Sequence, residues 1–156
     1  MLYRLFKSED FEALYAVEKI CFQPPFRFGR AFIRSIVEAS NGATWIAEEA
    51  GKMAGFAVVE WELEAHNFAN LATIEVLPED RGRGVAGELL RRIESSSSSA
   101  GASSLWLHVD ATNTDAIRLY EKHGFALQGK DDHYYARDRS ALIYRKRLKD
   151  ASASTS

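Results

Sequence analysis

Apolar residues recur at two different spacings in the first part of the chain, and each spacing indicates a different element. The short run Leu2 to Phe6 predicts a strand. Helical spacing then predicts one helix from an N-cap at Ser8 through about Cys21. A second helix has four apolar residues on one face and ends near Asn41-Gly42. The four are Phe32, Ile33, Ile36 and Val37.

The middle of the chain predicts three strands followed by a helix. Thr44 to Glu48 and Met53 to Leu63 are strands joined at Ala50-Gly51, which indicates a hairpin. Leu71 to Val76 is the next strand, and it leads through a glycine-punctuated turn into an amphipathic helix. We expect the serine-rich end of this helix, Ser95 to Ser99, to face solvent. Its apolar stripe is Val85, Ala86, Leu89, Leu90 and Ile93.

The last third of the chain completes a mixed α/β pattern. Leu105 to Val109 predicts a strand, and Asn113-Thr114 caps a helix that runs to His123 and is closed by Gly124. Phe125 to Gln128 and Leu142 to Leu148 are the final strands. The order is therefore β-α-α-β-β-β-α-β-α-β-β. It predicts a mixed, mostly antiparallel central sheet with a βαβ unit in the middle.

Composition narrows the class of protein. The 156 residues, with 46% hydrophobic and 27% charged residues, predict a single globular domain over residues 1–150, followed by a disordered tail at 151–156. A net charge of −2 with dispersed basic residues argues against nucleic-acid binding. The one cysteine, Cys21, favours a reducing compartment, and no zinc-type spacing predicts a metal. Because no apolar run approaches a membrane span and no signal peptide is visible, we expect a cytoplasmic location.

The turn that joins the strand Leu71 to Val76 to the third predicted helix is typical of a phosphate site. Gly82 and Gly84 allow a tight turn, the N–H groups of the following helix face outward, and Arg81 and Arg83 add positive charge. Gly82 to Gly87 also satisfies the GxGxxG dinucleotide pattern. Against that reading, five residues separate the glycines from their strand, and the acidic residue expected about 20 positions further on is missing.

Two sequence blocks resemble the GNAT superfamily of acyl-CoA-dependent N-acetyltransferases, most closely the protein N-terminal acetyltransferases of the ribosomal-protein alanine type. Arg81 to Ala86 resembles the R/Q-x-x-G-x-G/A motif. Leu105 to Val109, followed by Asn113 to Phe125, is similar to L-x-L-x-V…N-x-x-A-I-x-L-Y-x-x-x-G-F. The resemblance implies the GNAT fold and acetyl-CoA as acyl donor, with its pyrophosphate on the turn and its pantetheine arm along the preceding strand. The implied donor-binding residues are Ile74, Glu75, Val76, Arg81, Gly82, Arg83, Gly84, Val85, Ala86, Gly87, Asn113 and Tyr120.

The same resemblance implies three candidate catalytic residues. Tyr120 occupies the position of the family's general acid. Full proton transfer from a phenol, with a pKa of about 10, to a thiolate, with a pKa of about 8.5, is uphill by roughly 2 kcal/mol, but a strengthening hydrogen bond needs no complete transfer. His108 stands where many relatives have a glutamate base and resembles a branch that uses histidine there. Glu75 could instead act through water. In that branch a tyrosine at the position of Ala69 assists the histidine base, and this chain lacks that tyrosine.

The acceptor is an amine, and its nature rests on less evidence. Near pH 7 the neutral form of a lysine side chain costs roughly 3 kcal/mol more to reach than that of an α-amine, which favours an N-terminal amine. Tyr134 and Tyr135 resemble the tyrosines that line a peptide entrance, and Phe22 and Pro25 lie where relatives keep an aromatic-proline loop. The expected partner is a protein or peptide N-terminus, the expected reaction is direct attack in a ternary complex, and the expected state is a monomer or homodimer.

Two other functions stay open at this point. A small amine such as a polyamine, an amino acid or an aminoglycoside would suit the carboxylates Glu60, Glu62 and Glu64, together with Asp131-Asp132. Alternating solvated carboxylates on an exposed strand would explain the same pattern. A non-catalytic acyl-CoA-binding module is the remoter alternative, because His108 and Tyr120 are both present.

Overall fold

The computed structural model describes residues 1–24, 27–64, 67–136 and 139–148, without the side chains of residues 133–136 and 139. Its elements follow the predicted order, with strands that are longer than predicted at the end of the chain. The strands are β1 (Leu2–Leu5), β2 (Gly42–Glu49), β3 (Lys52–Glu62), β4 (Phe68–Val76), β5 (Ser104–Asp110), β6 (Ala126–Ala136) and β7 (Arg139–Arg147). The helices are α1 (Phe11–Cys21), α2 (Arg30–Val37), α3 (Val85–Ala100) and α4 (Thr114–Lys122). The tail at 151–156 lies outside the described residues.

One seven-stranded sheet contains all the strands, in the order β1-β2-β3-β4-β5-β7-β6. Neighbouring strands are antiparallel except β4 and β5, which are parallel and joined by α3. This arrangement confirms the mixed, mostly antiparallel sheet with a central βαβ unit. A parallel pair requires a long crossover, which is why the serine-rich segment continues the helix and is not a linker.

Two hydrophobic cores cover the two faces of the sheet. The core beneath α3 contains Leu89, Leu90 and Ile93, all fully buried. The core beneath α1 and α2 contains Leu14 and Ile33, also fully buried. Burying side chains of this kind stabilises the fold by roughly 1.5–3 kcal/mol each, so the sheet is held from both sides.

Three local predictions were wrong. Ser8 does not cap α1, because a 3₁₀ turn over Ser8–Asp10 precedes the helix and the Asp10 carboxylate accepts the Lys7 N–H at 2.7 Å and pairs with Arg4 at 2.8 Å. Phe32 is half exposed and does not join the other three residues in the core. Ser97 does not face solvent: it is fully buried, and its hydroxyl donates to the Ile93 carbonyl at 2.8 Å.

The fold feature that creates the site is the separation of β4 from β5. The two strands pair only from Phe68 with Ser104 to Leu71 with Leu107. At that point β4 carries a bulge, since Val58 and Val59 of β3 face Thr73 and Leu71 and leave Ala72 unpaired with either. The end of β4 then stays with β3, whereas β5 continues along β7 to Asp110. A wedge therefore opens between the two parallel strands.

Within the described ranges, no helix is both long enough and apolar enough to cross a lipid bilayer.

Candidate active site

The wedge between β4 and β5 is the entrance to an open cleft of about 1420 Å³. It is bordered by the end of β4, the glycine turn, α4 and the connection between α1 and α2. Most predicted site residues border it: Phe22, Ile74, Glu75, Val76, Arg81, Gly82, Gly84, Val85, Ala86, Gly87, His108, Asn113 and Tyr120. Pro25 lies outside the described residues. Tyr134 and Tyr135 lie on β6, and their side chains are outside the described part of the structure.

The glycine turn has the geometry of an anion cradle. Gly82 and Gly84 have φ angles of 78° and 80°, a left-handed conformation that a side chain disfavours. Gly84 is the N-cap of α3, and its carbonyl accepts the Glu88 N–H at 3.1 Å. The N–H groups of Val85, Ala86 and Gly87 precede the first intrahelical donor and are therefore available at the border of the cleft. These groups, with the helix dipole behind them, favour a bound phosphate.

The two arginines of the turn act differently from each other. Arg81 borders the cleft, and its Nε donates to the Val76 carbonyl at 2.9 Å. Arg83 is turned away from the cleft and forms ion pairs with Glu49 at 2.8 Å and with Asp80 at 3.0 Å. The attraction for an anion therefore depends more on backbone N–H groups and less on free arginine charge than the sequence predicted.

The main chain of β4 presents polar groups to the wedge. The Leu77 N–H donates to Ala54 on β3 at 2.8 Å, and alternation along a strand directs the N–H groups of Val76 and Ile74 to the opposite side, where β5 has diverged. The Val76 carbonyl on that side is occupied by Arg81 and by the Cys21 thiol, at 3.5 Å. The end of β4 thus offers N–H donors to a molecule in the cleft.

His108 lies on β5, on the same face as Trp106 and Asp110, as the alternation predicted. Its imidazole is partly buried, and Nε2 is 3.9 Å from Oδ2 of Asp131 on β6. Burial lowers the pKa of His108 below the ordinary value, and the nearby Asp131 carboxylate offsets only part of this effect. The imidazole is therefore neutral at pH 7 and can accept a proton.

Tyr120 lies on α4, whose N-terminus is fixed by the predicted cap: the Asn113 side chain accepts the Ala116 N–H at 3.2 Å. The phenol ring is buried, borders the cleft and packs edge-on against Phe125 with ring centroids 5.7 Å apart. The position combines a packing role with access to the cleft.

Glu75 is buried on the face of β4 opposite Val76 and accepts a hydrogen bond from Thr73 at 2.8 Å. Burial raises its pKa well above the ordinary value, and the neighbouring Glu18 carboxyl adds to this effect. Glu18 on α1 was missed by the sequence argument, although a signal existed. It occupies the apolar stripe of α1, next to Val17 and one turn after Leu14.

Comparison with known proteins places this geometry among the acetyltransferases. The model of the acetyltransferase (GNAT) family matches residues 7–125. A streptothricin acetyltransferase of Streptomyces lavendulae is 35% identical over 99 residues, which are 63% of this chain and 52% of that protein. A [ribosomal protein bS18]-alanine N-acetyltransferase of Escherichia coli K12 is 39% identical over 75 residues, which are 48% of this chain and 49% of that protein. The chain thus matches about half the length of these curated relatives.

The fold agrees with a solved structure over almost the whole chain. The crystal structure of the ribosomal-protein-S18-alanine N-acetyltransferase from Escherichia coli superimposes with a TM-score of 0.85 at 26% identity. The superposition covers 96% of this chain and 95% of that one.

The cysteine at the edge of the cleft is poorly suited to be a nucleophile. Burial raises the pKa of the Cys21 thiol to about 11, and Glu75 adds to the effect, while Arg81 only partly opposes it. Because the thiolate is the reactive form, we expect alkylation by iodoacetamide near pH 7 to be about 100-fold slower than for the unfolded chain. The rate, followed by mass spectrometry, should rise tenfold per pH unit up to the raised pKa. Equal rates in folded and unfolded protein would contradict this prediction.

Proposed function

The chain belongs to the acetyltransferase (GNAT) family, and we propose that it transfers the acetyl group of acetyl-CoA to a primary amine, in first place the N-terminal α-amine of a protein or peptide. The observation that carries the proposal is the wedge between β4 and β5, which brings His108, Tyr120 and the Val76 N–H to one cleft. The glycine turn at the same cleft supplies the phosphate site that a coenzyme A donor requires.

The donor is held chiefly by main-chain groups. The pyrophosphate lies against the first turn of α3, at Val85, Ala86 and Gly87. The pantetheine arm runs along β4 and takes the place of a missing strand beside Ile74 and Val76. This arrangement satisfies strand N–H groups for which the described part of the chain shows no partner, and it directs the thioester towards the point where β4 and β5 diverge.

The reaction proceeds by direct attack in a ternary complex. Neutral His108, through water, accepts a proton from the acceptor ammonium, and the amine nitrogen then attacks the thioester carbonyl carbon. The Val76 N–H donates to the oxyanion that develops on the carbonyl oxygen. As the C–S bond breaks, the Tyr120 hydroxyl donates a hydrogen bond to the departing thiolate, and the second proton that the nitrogen loses on becoming an amide neutralises this thiolate to the coenzyme A thiol. His108 is preferred to Glu75 as base, because Glu75 is buried and its pKa is raised.

Two observations support an α-amine acceptor. An α-amine has a pKa of about 8 and is more readily deprotonated by a histidine of lowered pKa than a lysine side chain, at about 10.4. The similarity to bS18-alanine N-acetyltransferases in sequence and in structure points in the same direction.

A small cationic amine is the second candidate acceptor. The 35% identity to a streptothricin acetyltransferase favours it. Glu60 and Glu62 of β3 also border the cleft and could attract a second positive charge.

An acceptor panel tests the function. Purified protein should release free thiol from acetyl-CoA with peptides that have a free N-terminal alanine, and not with the same peptides blocked at the N-terminus. Mass spectrometry of the product should place the acetyl group on the α-amine. Turnover confined to polyamines, aminoglycosides or streptothricin-type amines would contradict the peptide acceptor and support a small cationic amine instead. Tight coenzyme A binding without turnover of any amine would contradict enzymatic function.

His108→Gln tests the base. We expect kcat to fall about 100-fold, since a positioned base contributes at least this much in typical enzymes. In the wild type, kcat should decline as the pH falls through the lowered pKa of His108, because the protonated ring cannot accept a proton. The variant should lose this acidic limb. Asp131→Asn removes a charge that raises the His108 pKa, so it should move the limb to lower pH without abolishing it. An unchanged limb in His108→Gln would assign it to another group.

Tyr120→Phe tests the acid. We expect kcat to fall about 100-fold or somewhat less, because only partial proton transfer to sulfur is required. Tyr144→Phe is a matched control, since Tyr144 is buried away from the cleft and its hydroxyl donates to Glu121 at 2.8 Å. That control should lose about 1 kcal/mol of unfolding free energy and keep its kcat. Equal kcat values in wild type and Tyr120→Phe would leave Tyr120 with a packing role only.

A further inference from the structure

Two buried carboxyl groups that the proposed reaction does not use meet between α1 and β4. Glu18 is fully buried, and Glu75 is 3% exposed. Each has one oxygen with a clear donor: Oε2 of Glu18 accepts the Phe28 N–H at 3.0 Å, and Oε2 of Glu75 accepts the Thr73 hydroxyl at 2.8 Å. Each also has an Oε1 atom that is buried and receives no hydrogen bond from any described residue.

Two ionised carboxylates are unfavourable at such a place. Burial of each charge is costly without a counter-ion, and the like charges repel. Among the described residues, the Cys21 thiol on α1 interacts electrostatically with both carboxyl groups, and Arg81 after β4 contacts that thiol. The Arg81 guanidinium is directed to the Val76 carbonyl and lies 3.8 Å from the Cys21 sulfur. Among the described residues, neither carboxylate forms an ion pair with Arg81. Because no described positive charge compensates the pair, a single bound proton would remove the repulsion between the two groups.

We propose that Glu18 and Glu75 share one proton between their Oε1 atoms, and that Glu18 is a positioning residue, which through this bond fixes the connection between α1 and α2 against β4. With the proton on either oxygen, one Oε1 donates and the other accepts, so both atoms gain a partner at once. The raised pKa of Glu75 has the direction that such a pair requires. The functional part of the proposal rests on the proposed function, because it takes β4 as the donor strand and the α1–α2 connection as the acceptor wall.

The contacts of Phe28 show what the pair would position. Its N–H is bound by Glu18, and its carbonyl accepts the Tyr15 hydroxyl at 3.4 Å. Its ring packs against that of Phe32, with centroids 4.9 Å apart, and both rings border the cleft. On the other side of the pair, Glu75 lies between Ile74 and Val76, whose N–H groups face the wedge. One hydrogen bond thus connects the aromatic wall of the cleft to the strand that presents the thioester.

Proton sharing is tested by unfolding measurements that need no substrate. A pKa raised in the folded state stabilises the fold fully below the ordinary glutamate pKa, and this stabilisation is lost as the pH rises towards the folded-state value. In Glu18→Gln the amide can donate to Glu75 Oε1 without a titrating proton. The Tm of Glu18→Gln relative to wild type should therefore increase as the pH rises above the ordinary glutamate pKa of about 4.3. The infrared band of a protonated carboxyl group at pH 7 should also be lost.

Glu12→Gln is the matched control, an exposed glutamate on the same helix that pairs with Arg30. It should keep the carboxyl band, and its Tm–pH curve should run parallel to that of wild type above the ordinary glutamate pKa. At more acid pH the two curves should converge, because wild type then loses the ion pair that the variant lacks throughout. Parallel curves for Glu18→Gln and wild type, or retention of the carboxyl band in Glu18→Gln, would overturn the shared proton.

Positioning is tested with Glu18→Ala and its conservative counterpart. Amide hydrogen exchange at Phe28 should be at least tenfold faster in Glu18→Ala and close to wild type in Glu18→Gln. If the protein turns over amines as proposed, Glu18→Ala should raise the acceptor KM at least tenfold and the acetyl-CoA KM less than twofold, with recovery in Glu18→Gln. Unchanged exchange at Phe28 in a folded Glu18→Ala would overturn positioning. Absence of turnover in wild type would overturn only the proposed function, since the exchange and unfolding measurements still decide the pair.

Discussion

The constraint on which the rest of the structure depends is the hydrogen bonding of two parallel strands that pair and then separate. Over four residues, β4 and β5 satisfy each other's main-chain groups, and beyond Leu71 and Leu107 they do not. Buried N–H and C=O groups must find other partners. The protein itself supplies some of these partners, since Arg81 and the Cys21 thiol donate hydrogen bonds to the Val76 carbonyl. The N–H groups of Ile74 and Val76, to which no described residue is shown to be bound, are left for a ligand that can lie in extended form along a strand.

The wedge remains open because each strand is supported on its own outer side. β4 is held by β3 up to Val76, and β5 is held by β7 up to Asp110. The bulge at Ala72 turns the end of β4 and increases its local twist. Closing the wedge would break these antiparallel pairings and disturb both cores, so the cleft exists before any ligand binds. A preformed cleft of this kind reduces the entropy lost on binding.

The parts of the site that the sequence predicted are those determined by local chain chemistry. The left-handed glycines 82 and 84, the Asn113 cap and the alternation that places His108 and Trp106 on one face each depend on a few neighbouring residues. The parts that it missed depend on distant partners. Asp10 replaced Ser8 at the start of α1 because Arg4 and the Lys7 N–H converge on its carboxylate, and Arg83 turned to Glu49, 34 residues away. Glu18 appeared as a charge in an apolar stripe, but its partner Glu75 is known only once α1 packs on β4.

The contrast between features set by neighbouring residues and features set by distant partners also explains why the donor can be assigned more firmly than the acceptor. The proposed donor site consists mainly of backbone groups at the end of β4 and at the first turn of α3, so it constrains few side chains beyond the glycines. The proposed acceptor side consists of cleft-lining side chains from separate segments, among them Phe22, Phe28, Phe32 and Glu60. Substitutions there change shape and charge without disturbing the phosphate turn. This is consistent with relatives of 35% and 39% identity that are a streptothricin acetyltransferase in one case and a [ribosomal protein bS18]-alanine N-acetyltransferase in the other. Any residue that links the two halves, as Glu18 and Glu75 do across α1 and β4, is then where acceptor binding and donor geometry can influence each other.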